Sequence, residues 1–220
     1  MRKILVISPH PDDEILGCGA TLSKFKNKSI NWIIVTKMSK SSGYSKKQII
    51  NREKEIKLIS KKLKIKKTFN LNFDTGTLHK GNLGQLIKNI STILKKVRPD
   101  TIFCPFINDS HSDHFFIAHS INSILKVFRH PYIKLVLMYE TLSETNFNYV
   151  KKNFKPNYYI DISKHLKNKI ALMRIYKSEF KKHPFPRSIK SVKALAEIRG
   201  SESGYNYAES FKLIFSRSEN

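Results

Sequence analysis

Two short segments contain clusters of side chains that could bind a metal ion or transfer protons. One is HPDDE at residues 10–14, and the other is NDSHSDH at residues 108–114. A histidine and an aspartate three residues apart at a turn can converge on one metal ion, and a neighbouring carboxylate then remains as a base. Two histidines three residues apart lie on one face of the first turn of a helix. The two segments together therefore predict a metal centre.

Two histidines and one carboxylate are the ligand set of many catalytic zinc sites, in which a fourth position stays open for water. His10, Asp13 and either His111 or His114 would supply this set. Zinc is the favoured ion, although other divalent metals accept such ligands. A metal activates water and polarises a carbonyl, a carboxylate can move the proton, and a histidine can stabilise the oxyanion. The predicted reaction is metal-assisted hydrolysis of an amide.

Each segment also has a simpler interpretation. Pro11 followed by acidic residues is an ordinary helix start, because carboxylates are favoured at the positive end of the helix dipole. This interpretation explains the acids at residues 12–14 but leaves His10 without a role. His111 and His114 could be surface histidines near another helix start. Two such segments, each following a predicted strand, favour the metal site.

The elements that must position these segments are short apolar runs alternating with helical patterns. The predicted strands span residues 3–8, 31–37, 68–73, 101–106 and 133–140. The predicted helices span residues 14–27, 46–63, 83–97 and 112–128. The alternation predicts an α/β fold with a Rossmann-like, mostly parallel sheet covered by helices on both faces. Ligands in such folds bind outside the carboxyl ends of the strands, where both segments begin.

The pattern loosens after residue 140. A strand is predicted at residues 158–163, helices at 164–182 and 188–199, and a strand or helix end at 210–215. The sequence contains neither an internal repeat nor a low-complexity linker. A single domain over residues 1–220 is therefore expected.

The charge of the chain is strongly basic, with 41 Lys and Arg against 17 Asp and Glu and a formal net charge of +24. Such a charge can attract an anionic partner, or it can reflect compositional drift, because the lysines are spread along the chain. A basic nucleic-acid-binding protein is one alternative function, and residues 61–67 are its densest basic cluster. That alternative also needs a basic stripe, an aromatic platform or a reading helix, so no nucleic-acid partner is expected.

A nucleotide-binding α/β protein without hydrolase activity is a further alternative, suggested by Gly17-Cys18-Gly19. The dinucleotide fingerprint needs a third glycine, where this chain has Leu22, and it must lie in the first turn after the strand. The acidic residues at 12–14 would also repel phosphates. This alternative is therefore weaker than the metal site.

A cytoplasmic protein is expected from three sequence features. No apolar run approaches the ~20 residues of a membrane span, so no transmembrane segment is expected. The apolar run at residues 4–7 is shorter than the ~7–15 residues of a signal peptide core. Two cysteines, Cys18 and Cys104, suit a reducing compartment. The oligomeric state stays open, a homo-oligomer included.

The sequence resembles the LmbE-like, or PIG-L, family of zinc-dependent de-N-acetylases. The resemblance lies in residues 10–14 followed by Leu16-Gly17-Cys18-Gly19, in His111-Ser112-Asp113-His114, and in the ending at residues 199–211. That ending looks like the family pattern R-G-x-x-x-G-x-x-Y-A-E-x-F. The family includes N-acetylglucosaminyl-phosphatidylinositol deacetylases and the deacetylases of mycothiol and bacillithiol synthesis. The resemblance implies a zinc-dependent N-deacetylase.

The resemblance also implies roles for single residues. The implied zinc ligands are His10, Asp13 and His114. Asp12 would be the general base, His111 would stabilise the tetrahedral intermediate, and Asp113 would orient or tune a histidine. Arg52 and Asp74 would bind substrate, although a surface ion pair is the alternative for each.

The substrate implied is an N-acetylated amino sugar, free or linked to a nucleotide or a lipid. Residues 140–145, 154–158 and 184–188 resemble the bacterial branch found with surface-polysaccharide and sugar-nucleotide synthesis. Many family members have His-x-Ser-Gln where this chain has Tyr176-Lys177-Ser178-Glu179. This departure bears on the substrate rather than on the chemistry.

Overall fold

The computed structural model describes residues 1–150 and 152–218. The strands are β1 (Lys3–Ser8), β2 (Ser29–Lys37), β3 (Lys67–Asp74), β4 (Thr101–Pro105), β5 (Leu135–Tyr139), β6 (Tyr158–Asp161) and β7 (Ala208–Ser216). The α-helices are α1 (Asp13–Lys24), α2 (Lys46–Lys62), α3 (Leu83–Val97), α4 (Ser112–Ile124), α5 (Leu166–Met173) and α6 (Ile189–Ser201). Short 3₁₀ helices span Lys80–Asn82 and Lys177–Glu179.

The strands form one mixed sheet in the order β3-β2-β1-β4-β5-β7-β6. Strands β1 to β5 pair in parallel, and β7 lies antiparallel between β5 and β6. The predicted α/β fold with a mostly parallel sheet is confirmed. The edge strands are β3 and β6, and the same sheet contains both the first strand, β1, and the last described strand, β7.

Helices cover both faces of the sheet, because alternate residues of the central strands point to opposite sides. In β1, Ile4 and Val6 lie in a core with residues of α1, α2, α5 and α6. Leu5 and Ile7 lie in a second core with residues of α3 and α4. Near-continuous apolar strands are expected where both faces of a parallel sheet are buried.

Most predicted elements agree with the structure to within a few residues, and the predicted helix at 83–97 agrees at both ends. The long helix predicted at residues 164–182 is wrong. Only Leu166–Met173 is α-helical, and a 3₁₀ turn follows at Lys177–Glu179. The helix stops there because Tyr176 turns inward, and its hydroxyl donates a 2.7 Å hydrogen bond to Glu14. A tertiary contact has overridden local helical propensity.

The predicted helix at residues 112–128 is shorter than expected, since α4 ends at Ile124. The uncertain segment at 210–215 is part of the strand β7. This strand pairs with both β5 and β6, and that pairing satisfies backbone groups that an isolated segment would leave open.

Candidate metal centre and catalytic pocket

The two polar segments meet at the point where the strand order reverses. Strands β2 and β3 lie to one side of β1, and β4 lies on its other side. The loop after β1 and the loop after β4 therefore open next to each other at the carboxyl edge of the sheet. This switch point is where ligands bind in open α/β sheets.

His10, Asp13 and His114 converge into a group whose potential ligand atoms all lie within 4.8 Å of one another. His10 Nδ1 lies 3.2 Å from Asp13 Oδ2, and His114 Nε2 lies 3.3 Å from the same oxygen. His114 and Asp13 are buried, and the side chain of His10 is 18% exposed. The protein therefore shields the group from solvent, and His10 is its most exposed member.

His114 is held by a carboxylate that was not among the predicted site residues. Its Nδ1 lies 2.8 Å from Asp109 Oδ2, and the hydroxyl of Thr145 donates a 2.6 Å hydrogen bond to Asp109 Oδ1. The opposite atom, His114 Nε2, is buried, and its polar contact among the described residues is Asp13 Oδ2 at 3.3 Å, without the geometry of a hydrogen bond. Metal-binding histidines commonly use their second nitrogen in this way, because a carboxylate fixes the ring and its tautomer.

The electrostatics of the cluster favour a cation. Burial lowers the pKa of His10, but hydrogen bonds with Asp113 and Asp13 outweigh it and raise that pKa to about 9. Burial likewise opposes protonation of His114, yet the charges of Asp13 and Asp109 raise its pKa well above the ordinary value. Burial raises the pKa of Asp13, and the two histidines reverse this and hold it well below the ordinary value. Surroundings that favour protonated imidazoles also favour a divalent metal, so the residues fit one.

A second group, His10, His111 and Asp113, also brings potential ligand atoms together. Its members have other partners. Asp113 accepts hydrogen bonds from the backbone N–H groups of Gly76 and Leu78 and lies 3.2 Å from His10 Nε2. His111 caps α4, because its Nδ1 accepts a 3.1 Å hydrogen bond from the backbone N–H of Asp113. The first group fits a metal better, because Asp13 and His114 are buried and His114 Nε2 faces Asp13 of the same group.

Asp12 has a strained backbone and a charged partner. Its φ of 143° lies in a region that residues other than glycine rarely adopt. Its backbone N–H donates a 3.1 Å hydrogen bond to Glu14 Oε2, and its carboxylate accepts a 2.8 Å hydrogen bond from Arg187 Nη1. Burial and the neighbouring charge of Asp13 raise the pKa of Asp12 to about 7, against the opposing effect of Arg187. The two adjacent aspartates are thus placed in opposite electrostatic environments.

Glu14 holds the turn at Asp12 through buried hydrogen bonds. Its carboxylate accepts hydrogen bonds from the hydroxyls of Tyr176 (2.7 Å) and Ser8 (3.4 Å). Trp32 Nε1 donates a further 2.8 Å hydrogen bond to the Ser8 hydroxyl. Burial raises the pKa of Glu14 to about 8, and the hydrogen bond from Tyr176 opposes that shift. Glu14 therefore acts on the site through the backbone of Asp12 and does not face the cavity.

The cavity beside these residues has a volume of about 150 Å³ and is lined by His10, Asp12, Asp13, His111 and Arg187, among others. Arg52 also lines it, donating hydrogen bonds to the Pro11 carbonyl and Glu179. Asp74 is not among the lining residues. Asp74 is the last residue of β3, and its carboxylate accepts a 2.9 Å hydrogen bond from the Ser41 hydroxyl.

Arg187 and Glu179 are site residues that the sequence analysis did not identify. Arg187 Nη1 lies 2.9 Å from Glu179 Oε2, and its Nε donates a 2.8 Å hydrogen bond to the Ser143 hydroxyl. Arg187 lies in the segment 184–188 that resembles the bacterial branch of the family, and Glu179 lies where many family members have His-x-Ser-Gln. Nothing in either segment indicates contact with Asp12. Only the fold brings residue 187 to residue 12.

The glycine-rich part of α1 and the ending of the chain form the scaffold behind the site. Gly17 has no room for a side chain, because an added Cβ would lie 2.2 Å from the Tyr139 ring. The helix α1 is interrupted at Cys18. Glu209 accepts hydrogen bonds from the freed backbone N–H groups of Ala20 and Thr21, at 3.0 and 2.7 Å. Glu209, in β7, thus accepts hydrogen bonds from backbone N–H groups that the interruption of α1 leaves without helical partners.

The fold and the site define a class of α/β protein with a candidate divalent-metal centre at the switch point of a mostly parallel sheet. The chain belongs to the PIG-L family, GlcNAc-PI de-N-acetylase, which it matches over residues 5–125. Both polar segments lie within that range, and the ending at 199–211 lies outside it. The predicted family is confirmed.

One curated relative and two solved structures are similar along nearly the whole chain. The diacetylchitobiose deacetylase of Thermococcus kodakarensis is 25% identical over 228 aligned positions, covering 97% of this chain and 84% of its own length. The conserved protein TT1542 of Thermus thermophilus has a TM-score of 0.79 at 24% identity, with 100% and 98% coverage. The N,N'-diacetylchitobiose deacetylase of Pyrococcus horikoshii, solved with its inhibitor MPG, has a TM-score of 0.73 at 24% identity, with 97% and 84% coverage. The two structures establish the shared fold.

Within residues 1–150 and 152–218, no helix is both long enough and apolar enough to cross a membrane.

Proposed function

We propose that this protein is a metal-dependent hydrolase that removes the N-acetyl group from an N-acetylated amino sugar or its conjugate. The observation that carries the proposal is the convergence of His10, Asp13 and His114 beside Asp12, with the buried Nε2 of His114 3.3 Å from Asp13 Oδ2. Family membership and the name of the diacetylchitobiose deacetylase support the deacetylase class. The single sheet that contains both β1 and β7 supports one catalytic domain.

His10, Asp13 and His114 would hold the metal, with zinc proposed and another divalent ion as the alternative. A bound divalent ion would polarise the amide carbonyl and acidify a water molecule. Asp109 keeps the metal-facing nitrogen of His114 available, and Asp113 restrains His10 in the same manner. The cluster thus combines ligands and the residues that orient them.

Asp12 would act as the general base. As the water oxygen forms its bond to the acyl carbon, Asp12 takes the water proton. When the carbon–nitrogen bond breaks, Asp12 returns that proton to the leaving amine. This step gives acetic acid and the free amine, the acid then passes its proton to the amine or to solvent to leave acetate, and Asp12 ends the cycle deprotonated, as it began.

His111 and Arg52 would act on the substrate. His111 lines the cavity, and its Nδ1 already accepts a hydrogen bond, so the proton of the neutral ring is on Nε2. That donor would stabilise negative charge on the carbonyl oxygen. Arg52 lines the same cavity and would contact the sugar. Asp74 would not contact the substrate, because it does not line the cavity.

Acetate release tests the proposal. The substrates are free, nucleotide-linked and lipid-linked N-acetylhexosamines, incubated with protein of measured metal content, with and without a chelator. We expect release from at least one substrate, loss of release after chelation, and recovery when zinc is restored. Release that persists in metal-free protein would contradict a metal-dependent mechanism, and bound metal with no release from any N-acetylated sugar would contradict the substrate class.

A further inference from the structure

Glu179 lies between two arginines at the edge of the catalytic pocket. Its Oε1 accepts a hydrogen bond from Arg52 Nη2, and its Oε2 accepts a 2.9 Å hydrogen bond from Arg187 Nη1. The Ser178 hydroxyl donates a further 2.9 Å hydrogen bond to Oε1. Each oxygen of this carboxylate therefore holds a different guanidinium group.

The same two arginines also contact the turn that contains the candidate base. Arg187 Nη1 donates a 2.8 Å hydrogen bond to Asp12 Oδ2, and Arg52 Nη1 donates to the backbone carbonyl of Pro11. The contacts thus close a circle that runs from Asp12 through Arg187, Glu179 and Arg52 back to Pro11. All five residues line the catalytic pocket.

The negative charge of Glu179 allows two guanidinium groups to lie close together. Burial raises the pKa of Glu179, but the charge of Arg52 and the hydrogen bond from Ser178 outweigh it and lower that pKa below the ordinary value. The carboxylate is therefore ionised at neutral pH. A neutral amide at this position would offer one acceptor oxygen instead of two, and the two like charges would lose their common partner.

Arg187 depends on Glu179 more than Arg52 does. Its Nη1 carries two hydrogens and contacts two carboxylates, Asp12 and Glu179. Without Glu179, Arg187 would keep the hydrogen bond from its Nε to the Ser143 hydroxyl, but nothing would fix Nη1 on the side away from Asp12. Arg52 would keep its ion pair with Glu55 and its hydrogen bond to the Pro11 carbonyl.

The contact with Arg187 distinguishes the two oxygens of Asp12. Oδ2 accepts the hydrogen bond from Arg187, whereas none of the described residues donates a hydrogen bond to Oδ1. A hydrogen bond to the ionised form of a carboxylate makes that oxygen less available to a proton. Oδ1 is therefore the atom that remains free to take a proton from water.

We infer that Glu179 is a positioning residue for the base: it holds Arg187 against Asp12 Oδ2, so that Oδ1 faces the attacking water. Glu179 would act only through Arg187 and would touch neither the reacting atoms nor the metal. This inference rests on the proposed function, because it takes Asp12 as the base. It predicts an effect on kcat that depends on Arg187 and leaves the metal content unchanged.

A double-mutant cycle tests the link. Acetate release would be measured for Glu179→Gln, Arg187→Ala and the double variant, on full-length protein of measured metal content. Glu179→Gln should lower kcat by about tenfold or more, with little change in KM. The double variant should be no slower than Arg187→Ala, because residues that act through one contact are not additive. Glu179→Asp retains the charge and should recover part of the loss.

Glu55→Gln is the matched control. Glu55 Oε2 lies 3.1 Å from Arg52 Nε, so this substitution removes a carboxylate from the same arginine. Glu55 is not among the ion-pair partners of Arg187, which are Asp12, Glu144 and Glu179. Glu55→Gln should therefore change kcat by no more than about twofold.

Chemical rescue gives a readout that a merely structural role would not change. Millimolar ethylguanidinium added to Arg187→Ala should raise kcat by about fivefold or more, because the cation can bind between Glu179 and Asp12 through charge-assisted hydrogen bonds. The double variant should show no recovery, since it lacks the carboxylate that holds the cation. Sodium chloride at the same ionic strength controls for screening.

Three results would overturn the inference. One is a double variant whose loss of kcat is the product of the two single losses. Another is equal rescue with and without Glu179. The third is loss of metal in Glu179→Gln, or an effect of Glu55→Gln as large as that of Glu179→Gln.

Chemical denaturation of the same variants separates this inference from the proposed function. Losses of stability that are smaller in the double variant than the sum of the single losses would establish the contact between Glu179 and Arg187 without any turnover. That result, together with no acetate release from any substrate, would refute the deacetylase and retain the contact. Acetate release with independent effects of the two substitutions on kcat would refute the role of Glu179 and retain the deacetylase.

Discussion

The amino-terminal and carboxy-terminal parts of the chain contribute to the site in different ways. The amino-terminal part supplies the candidate ligands and base from two segments, one running from the end of β1 into α1 and the other from the end of β4 into α4. The carboxy-terminal part supplies single residues from separate segments, such as Tyr176, Glu179 and Arg187, which contact Glu14, Arg52 and Asp12. The candidate ligands and base are thus close together in sequence, whereas the residues that position them are spread over distant segments.

The difference follows from the kind of constraint on each part. A metal needs several donor atoms within a few ångströms, and adjacent loops at a sheet edge provide them from short segments. Holding a turn such as that at Asp12 requires contacts from any direction. Residues far apart in sequence can meet that need if the fold returns them to the site.

The largest expected effect separates the two adjacent aspartates of the first motif. Asp12→Asn should keep the metal and lower kcat by about 10²–10⁴-fold, because general acid–base catalysis contributes this much. Asp13→Asn should lose the metal and the activity together, since it removes a candidate ligand. Metal content by mass spectrometry and kcat on the same samples check both variants. Wild-type turnover in Asp12→Asn, or full metal content in Asp13→Asn, would refute the assigned roles.

The next effect concerns stability in the carboxy-terminal part. Lys169 Nζ lies 2.7 Å from Glu209 Oε1, and both side chains are buried. Glu209→Ala should lower the free energy of unfolding by about 3–5 kcal/mol, because it leaves a buried charge unpaired and frees two backbone N–H groups of α1. Chemical denaturation measures this change. Glu202→Ala is the control, and this half-exposed partner of Arg199 should cost less than about 1 kcal/mol.

An equal cost for Glu209→Ala and Glu202→Ala would show that the ending of the chain does not support α1. The double variant Lys169→Met, Glu209→Gln sharpens the test. It removes the buried charge from both partners, so it should cost less than Glu209→Ala alone.

Arg187 tests whether the carboxy-terminal part also affects turnover. Its hydrogen bond to Asp12 orients the candidate base, so Arg187→Ala should lower kcat by up to about 100-fold, as misplacement by ~1 Å can. Metal content should stay unchanged, and Arg187→Lys should recover part of the loss because it retains the charge without the planar fork. A loss confined to KM would instead make Arg187 a substrate contact, and loss of metal would make its role structural.

The sequence was sufficient to predict what depends on local pattern. Alternating apolar strands and helices predicted the α/β fold. The segments at residues 10–14 and 108–114 predicted a cluster of His10 and Asp13 with either His111 or His114, and the family resemblance implied His114. Asp109 lies within the quoted second segment, yet its contact with His114 depends on how the loop after β4 turns. Arg187 and Asp12 are 175 residues apart in sequence, and the residues around neither one indicate that they are in contact. The predicted helix at 164–182 failed for the same reason, because a buried contact to Glu14 fixes Tyr176.

The smallest expected effect concerns Asp74, which the family resemblance suggested as a substrate contact. Its carboxylate accepts a hydrogen bond from Ser41 and does not line the catalytic pocket. Asp74→Asn should therefore change kcat/KM by no more than about twofold, the effect of ~0.5 kcal/mol at a surface position. Arg52→Gln is the matched comparison, because Arg52 lines the catalytic pocket and its loss leaves Glu55 and Glu179 without that ion-pair partner. A drop of more than about tenfold for Asp74→Asn would mean that the loop after β3 moves Asp74 against the substrate, and a second region of the amino-terminal part would then join the site.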